Sequence, residues 1–460
     1  MTRHRILSPR GFAAATATTS LGFFVVQLDV SIVNIALPRM GADLQGAMGA
    51  LQWVVDGYTL AFASFLLSAG ALADRIGARR VYVAGFALFT AASLACSLAP
   101  GLAWLIAARI VQGAGAALVM PSSLALLNHA TAHDSALRAR AIAWWTSAGS
   151  VALTAGPILG GVMVERLGWP SIFWVNLPVG IAGIWLAFNV LSESKRARAE
   201  RGFDPFGQVL SCLGLFALVG AVIEAGERGW HAPIAIIGFA IGIALLIAFL
   251  SVEHRGAAPM LPLGLFRDRT FSAAILVGFA INLTIYGTIF VLGFYFQQTK
   301  HYSAAVAGLA FMPFMALVGF SNLAAGRITA RFGARLPMAA GLVIGGIGFA
   351  LLVTADEGTT YASLVWRLLL IPLGIGLAVP AMTSALLGTV PKERGGLASG
   401  ILNTIRQVAG AIGVAAFGAL IAGSLVHGMQ AAFALAAVLL LGAAATAMMV
   451  RGQPVRSPAR

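Results

Sequence analysis

Five charged side chains stand inside long apolar runs of this 460-residue chain: Asp29, Asp56, Arg109, Arg367 and Arg406. A charge among lipid-crossing helices costs about 2.5 to 3.5 kcal/mol on insertion scales, so each must face a packed interior or a water-filled cavity and find a partner. Carboxylates and guanidinium groups gathered there can move protons without a cofactor. A carboxylate binds a proton more tightly when dehydrated and releases it when a cation approaches. Arginine keeps its own proton, so Arg109 would bias such a carboxylate rather than carry the proton itself. Counted from the ends of their runs, Asp29, Asp56 and Arg109 all lie on the order of 10 Å below the same surface at 1.5 Å per residue. Asp29, Asp56 and Arg109 are therefore the proton-coupling candidates, with a fixed structural ion pair as the plain alternative and, for Asp56, a merely wet position nearer the surface.

Neutral polar residues accompany these charges. Gln27 and Asn34 share the run of Asp29, Gln112 follows Arg109 at i+3 on the same helical face, and Asn403 and Gln407 flank Arg406. Gln27, Asn34, Gln112, Asn403, Arg406 and Gln407 are the expected lining of a substrate cavity. For Arg367 and Arg406, helix-to-helix hydrogen bonding is the competing role, and Glu224, beside Glu227 and Arg228, reads as a solvated loop carboxylate. Two further groups suit gating. Gly156, Pro157, Gly160 and Gly161 give one helix a bare, bendable face. The turn 70–80 sets Asp74, Arg75, Arg79 and Arg80 at a surface, where Asp74 can pair with arginine or a helix N-terminus as a latch.

The elements that must position these residues are membrane helices. Hydrophobic residues make up 59% of the chain and charged residues 10%, against roughly 25% charged in soluble domains. Fourteen apolar runs of about 20 residues are long enough to span a bilayer. The turn Arg75-Ile76-Gly77-Ala78-Arg79 recurs as Arg331-Phe332-Gly333-Ala334-Arg335, offset by 256, and Arg109 pairs with Arg367 at a similar offset. Six helices thus repeat as six. The expected division is an N-terminal six-helix bundle (1–191), a charged connector (192–205), two inserted helices (206–258) and a C-terminal six-helix bundle (259–460).

Charge placement orients the chain. Of the 30 lysines and arginines, 23 fall on the side of the two termini, four on the opposite side and three inside spans. The positive-inside rule then puts both termini in the cytoplasm. Since the net charge of +14 is held in alternate loops, it does not call for a nucleic-acid partner. Cys96 and Cys212 read as small core hydrophobes, the first helix as retained rather than cleaved. The seven histidines are scattered, His129 and His133 having no third ligand near them, and no Walker-type loop is present. No metal or nucleotide cofactor is expected.

The motifs together resemble the major facilitator superfamily, and within it the fourteen-helix drug:proton antiporters. The turn 70–80 is similar to the superfamily's signature after helix 2, Leu28-Asp29-Val30-Ser31-Ile32-Val33-Asn34-Ile35-Ala36-Leu37-Pro38 to the helix 1 motif of the fourteen-helix group, 109–117 to the helix 4 motif tied to proton coupling, and 156–161 to the helix 5 motif of exporters. Stretches 53–58, 176–180 and 402–407 look most like exporters of the methylenomycin A resistance type. The second copy of the turn carries Ala330 in place of Asp74. The resemblance implies an all-α polytopic membrane protein (six, two, six) that exports lipophilic drugs or antibiotics across a bacterial inner membrane by exchange for protons. It implies lipids as surroundings, no cofactor beyond the proton gradient, and a monomer. Proton-coupled uptake of a metabolite is the alternative within transport, and a polytopic membrane enzyme or receptor the alternative outside it.

Overall fold

The computed structural model describes residues 9–131, 134–193, 204–256, 260–391 and 394–450; the greater part of the connector lies outside them. Among the described residues there is no strand. Fourteen helices among the described residues are long and apolar enough to cross a membrane, the sixth when the turn that precedes it is counted with it (Ser171–Val190). They run as α1 (Pro9–Asp43), α2 (Met48–Ile76), α3 (Ala78–Ser97), α4 (Leu102–Ala130), α5 (Ser135–Leu167), α6 (Asn176–Val190), α7 (Pro205–Arg228), α8 (Pro233–Arg255), α9 (Arg269–Phe294), α10 (Ala304–Phe332), α11 (Arg335–Leu352), α12 (Tyr361–Leu387), α13 (Gly395–Ile421) and α14 (Leu425–Ala447). A single turn, Ser171–Trp174, precedes α6, and a π-turn, Tyr295–Thr299, extends α9.

The duplicated turn has a backbone cause. Gly77, between α2 and α3, has φ 107°, and Gly333, between α10 and α11, has φ 73°. Both lie in the region that glycine enters without a Cβ penalty. The same sharp exit from a helix is made twice, 256 positions apart.

Packing repeats along with the turns. In the first half α1 lies against α5, and α4 against both α2 and α3; in the second, α9 lies against α13, and α12 against both α10 and α11. The halves meet along two seams, α5 with α10 and α2 with α13. The inserted hairpin covers the second seam. α7 packs on both α2 and α13, whereas α8 packs on α7 and turns Ile234, Ile237, Ile241 and Ile247 outward. Polar contacts tie α7 to α2 at both ends: Glu227 accepts from Gly49 N at 2.7 Å, and Gln208 donates to Ser64 O at 2.8 Å while accepting from the Ser68 hydroxyl. Toward α13, α7 offers apolar contact, with Val219 and Ile223 clustered on Ala411 and Ala415.

Hydrogen bonds between the halves lie on the face away from the termini. Gln297 of the π-turn donates to Ile35 O at 3.0 Å, Gln52 to Ala415 O at 2.9 Å, and Ser303 to Glu165 at 2.9 Å. Among the described residues none joins the halves on the terminus-bearing side. There α1 and α5 leave a cavity of about 670 Å³, lined by Phe12, Thr16, Ser20, Arg140 and Trp144 among others. Thr18 and Thr19 satisfy their hydroxyls on α1's own carbonyls, whereas those of Thr16 and Ser20, which line the cavity, have no partner among the described residues.

Candidate functional site

The polar centre of the first half is built around one carboxylate. Asp29 of α1 is 0% and Arg109 of α4 1% exposed, and Nη1 of Arg109 donates to Asp29 Oδ2 at 2.5 Å. The other oxygen, Oδ1, accepts from Gln112 Nε2 at 2.8 Å and from Asn176 Nδ2 at 2.9 Å. Gln112 lies one turn after Arg109, so both reach Asp29 from the same face of α4, and Arg109 Nη1 also donates to Gln112 Oε1 at 2.6 Å. Ser93 of α3 completes the base, accepting from Gln112 at 2.8 Å and from Asn176 at 3.3 Å. A buried ion pair is tolerable only when its remaining donors and acceptors are met, and here they largely are.

Arg109 is fixed on two further sides. Its Nε donates to Val54 O of α2 at 3.0 Å, and its guanidinium carbon lies 4.2 Å from the centroid of the Tyr58 ring, a cation–π distance. Gly113 makes this approach possible, because a Cβ there would strike the Tyr58 carbonyl of α2. Gly113→Val should therefore drive α2 from α4 and destabilise the protein by about 1 to 3 kcal/mol or more. Gly101→Val, at a position with nothing within 4 Å, is the matched control, with thermal unfolding in detergent as the measurement. Equal melting temperatures for the two variants would refute the close-approach argument.

The contact between α1 and α4 at this point depends on opposite charges, so any change that neutralised Asp29 would weaken it. The model of the Major Facilitator Superfamily matches residues 19–414. The chain belongs to this superfamily. It is therefore a transporter rather than an enzyme. The chain is 39% identical over 407 residues to the multidrug resistance protein Stp of Mycobacterium tuberculosis, covering 88% of this chain and 75% of that protein. It is 36% identical over 433 residues to the methylenomycin A resistance protein of Bacillus subtilis, covering 92% of each. Among solved structures, a bacterial homologue of the human lysosomal transporter Spinster, inward-facing and unoccupied, superposes with a TM-score of 0.67 at 14% identity, covering 96% of this chain and 97% of that one.

The superfamily fold distributes the other expected residues unevenly. Asp56 is fully buried, yet among the described residues neither carboxylate oxygen has a hydrogen-bond partner. It stands at the depth expected but on another face of α2. Gln52 and Leu60, one turn to either side, touch α13, so Asp56 is on the stripe facing the seam between the halves. Asn34 donates to Val30 O within α1 and, among the described residues, neither it nor Gln27 hydrogen-bonds to Asp29. Arg367 sits near the end of α12, donating to Thr354 Oγ1 at 2.9 Å. Asn403, Arg406 and Gln407 lie mid-α13, partly exposed and, among the described residues, without hydrogen bonds.

The gating groups also divide. Gly156 packs on Ser31 and Gly160 on Ile32 and Ile35 of α1, while Pro157 and Gly161 meet Gly308 and Ala304 of α10. The bare face of α5 thus joins its own half and the other one, and α5 runs unbroken through Pro157. At the signature turn, Glu193 rather than Asp74 is the carboxylate that faces Arg79 and Arg80, each at 3.7 Å. Arg79 also donates to Leu191 O at 3.1 Å; Arg75 is exposed. Asp74 forms no ion pair among the described residues. Glu224 pairs with Arg228 at 2.7 Å at the end of α7.

Sequence reasoning missed Asn176, Ser93 and Cys96 as members of the centre. Cys96, expected to be a bare core thiol, lies 3.7 Å from Gln112 Oε1. Asn176 alone carried a signal, a polar residue two positions before Pro178 inside an apolar run, where the break at Val175 turns it inward.

Proposed function

We propose that this chain exports lipophilic drugs or antibiotics across a bacterial inner membrane in exchange for protons, by alternating access between two six-helix bodies. The bodies are 1–191 and 259–460, with 206–258 as an inserted hairpin and 192–205 as connector. The terminus-bearing face is cytoplasmic, the reading that the distribution of lysine and arginine supports. Asp29 is the proton carrier, Arg109 the group that opposes its protonation, and Asp56 the second candidate for proton coupling. Glu193 with Arg79 and Arg80 acts as the latch beside Asp74 and Arg75. The observation that carries the reading is the enclosed Asp29–Arg109 pair, joined to relatives that are named for drug resistance. Hydrogen bonding between the halves on the face away from the termini fits an inward-facing state in which substrate enters from the cytoplasm.

Everted membrane vesicles from a drug-sensitive host expressing the chain test this directly. Acidifying the lumen should drive drug into the vesicles, and nigericin should stop it. Accumulation in right-side-out vesicles instead would establish uptake, and indifference to the pH gradient would remove the exchange.

A further inference from the structure

The three arginines within spans meet three different fates. Arg109 is paired with Asp29. Arg367 reaches Thr354 and the Leu351 carbonyl at the end of its helix, beside the Trp366 ring. Arg406 lies eleven residues into α13, about 16 Å along its axis at 1.5 Å per residue. Among the described residues its buried Nε has no partner and it forms no ion pair. Tyr286 on α9 lies close enough for the two charges to bear on each other. Glycines clear the space around it, Gly278 facing the Arg406 side chain and Gly410 the Tyr286 ring. Tyr286 in turn packs against the core of the first half, so the guanidinium stands near the plane where the two halves meet.

A lone guanidinium at this depth is expensive, and arginine cannot escape by giving up its proton. Among the described residues no carboxylate pairs with it. We propose that the transported molecule supplies the partner: Arg406 receives the negatively charged group of an amphipathic organic anion carried between the halves. A guanidinium fork matches a carboxylate or sulfonate with two parallel hydrogen bonds. Asn403 and Gln407, partly exposed beside it on α13, offer further donors, and Tyr286 offers an aromatic face for the apolar body. The same fixed charge repels a cation of similar shape. This rests on the transport reading for its biology but not for its test, which needs no gradient.

The test measures binding to the full-length protein in nanodiscs of zwitterionic lipid, read as energy transfer from tryptophan to dansyl. The probes are 11-(dansylamino)undecanoate and a dansyl-alkyl trimethylammonium of equal chain length. Wild-type protein should bind the anion about tenfold or more tightly than the cation, the worth of one charge-assisted contact. Arg406→Gln should lose that preference with the cation unaffected, and Arg406→Lys should keep part of it. Equal affinities for the two probes on wild type would overturn the proposal whether or not the variants fold, as would an unchanged anion affinity in Arg406→Gln. Retained anion selectivity in a protein that fails pH-driven export would instead count against proton exchange and leave the role of Arg406 standing.

Discussion

Asp29→Asn should abolish transport driven by a pH gradient while leaving substrate counterflow and the fold intact. The amide keeps the size of the carboxylate and an oxygen for a donor, so Gln112 or Asn176 can still bond to it. Arg109 retains the Val54 carbonyl and the Tyr58 ring. The pair is broken from one side here too, but these retained partners hold the cost at or below the low end of the about 3 to 5 kcal/mol that an unsupported buried charge carries. Asp56→Asn should behave differently. With no hydrogen-bond partner on either oxygen, Asp56 has no contact to lose, and the change should leave the melting temperature unchanged or raised. Reconstituted protein assayed with an imposed gradient and by counterflow decides between the two carboxylates. Full gradient-driven transport by Asp29→Asn, together with its loss in Asp56→Asn, would transfer the proton to the seam between the halves.

What the sequence could and could not convey follows from the kind of signal each feature leaves. Spanning helices are legible because hydropathy is a one-dimensional property, and the doubling because Gly77 and Gly333 are required where the chain turns with positive φ. Asp29, Arg109 and Gln112 were legible since a charge in an apolar run demands a partner, and i,i+3 spacing puts two of them on one face. Depth along a helix can be counted, but azimuth cannot. Asp56 shares the depth of Asp29 and faces elsewhere, a distinction visible only once Gln52 and Leu60 are seen against α13. Ser93 and Asn176 are neutral, carry no charge to be balanced, and arrive from α3 and α6. Glu193 was hidden by its place within the charged connector, where a carboxylate among many basic residues has no preferred partner.

Removing the other member of the pair should have the larger structural effect. Arg109→Gln leaves the Asp29 carboxylate fully buried with amide and hydroxyl donors alone, and breaking a buried pair from one side costs about 3 to 5 kcal/mol. A protein of ordinary stability would lose much of its folded population. The double variant Asp29→Asn/Arg109→Gln removes both charges from nearly the same volume, and an uncharged replacement of a buried pair is often neutral. Its melting temperature should therefore recover most of what Arg109→Gln lost, a strong non-additivity expected of groups in direct contact. Transport should not recover with it, since the double variant has neither the carboxylate that takes the proton nor the cation that expels it. Thermal unfolding and gradient-driven uptake measured on the same four proteins separate the two roles. Additive losses of stability would mean that Asp29 and Arg109 act independently, whereas recovered transport would mean that the pair holds the helices together and the proton travels elsewhere.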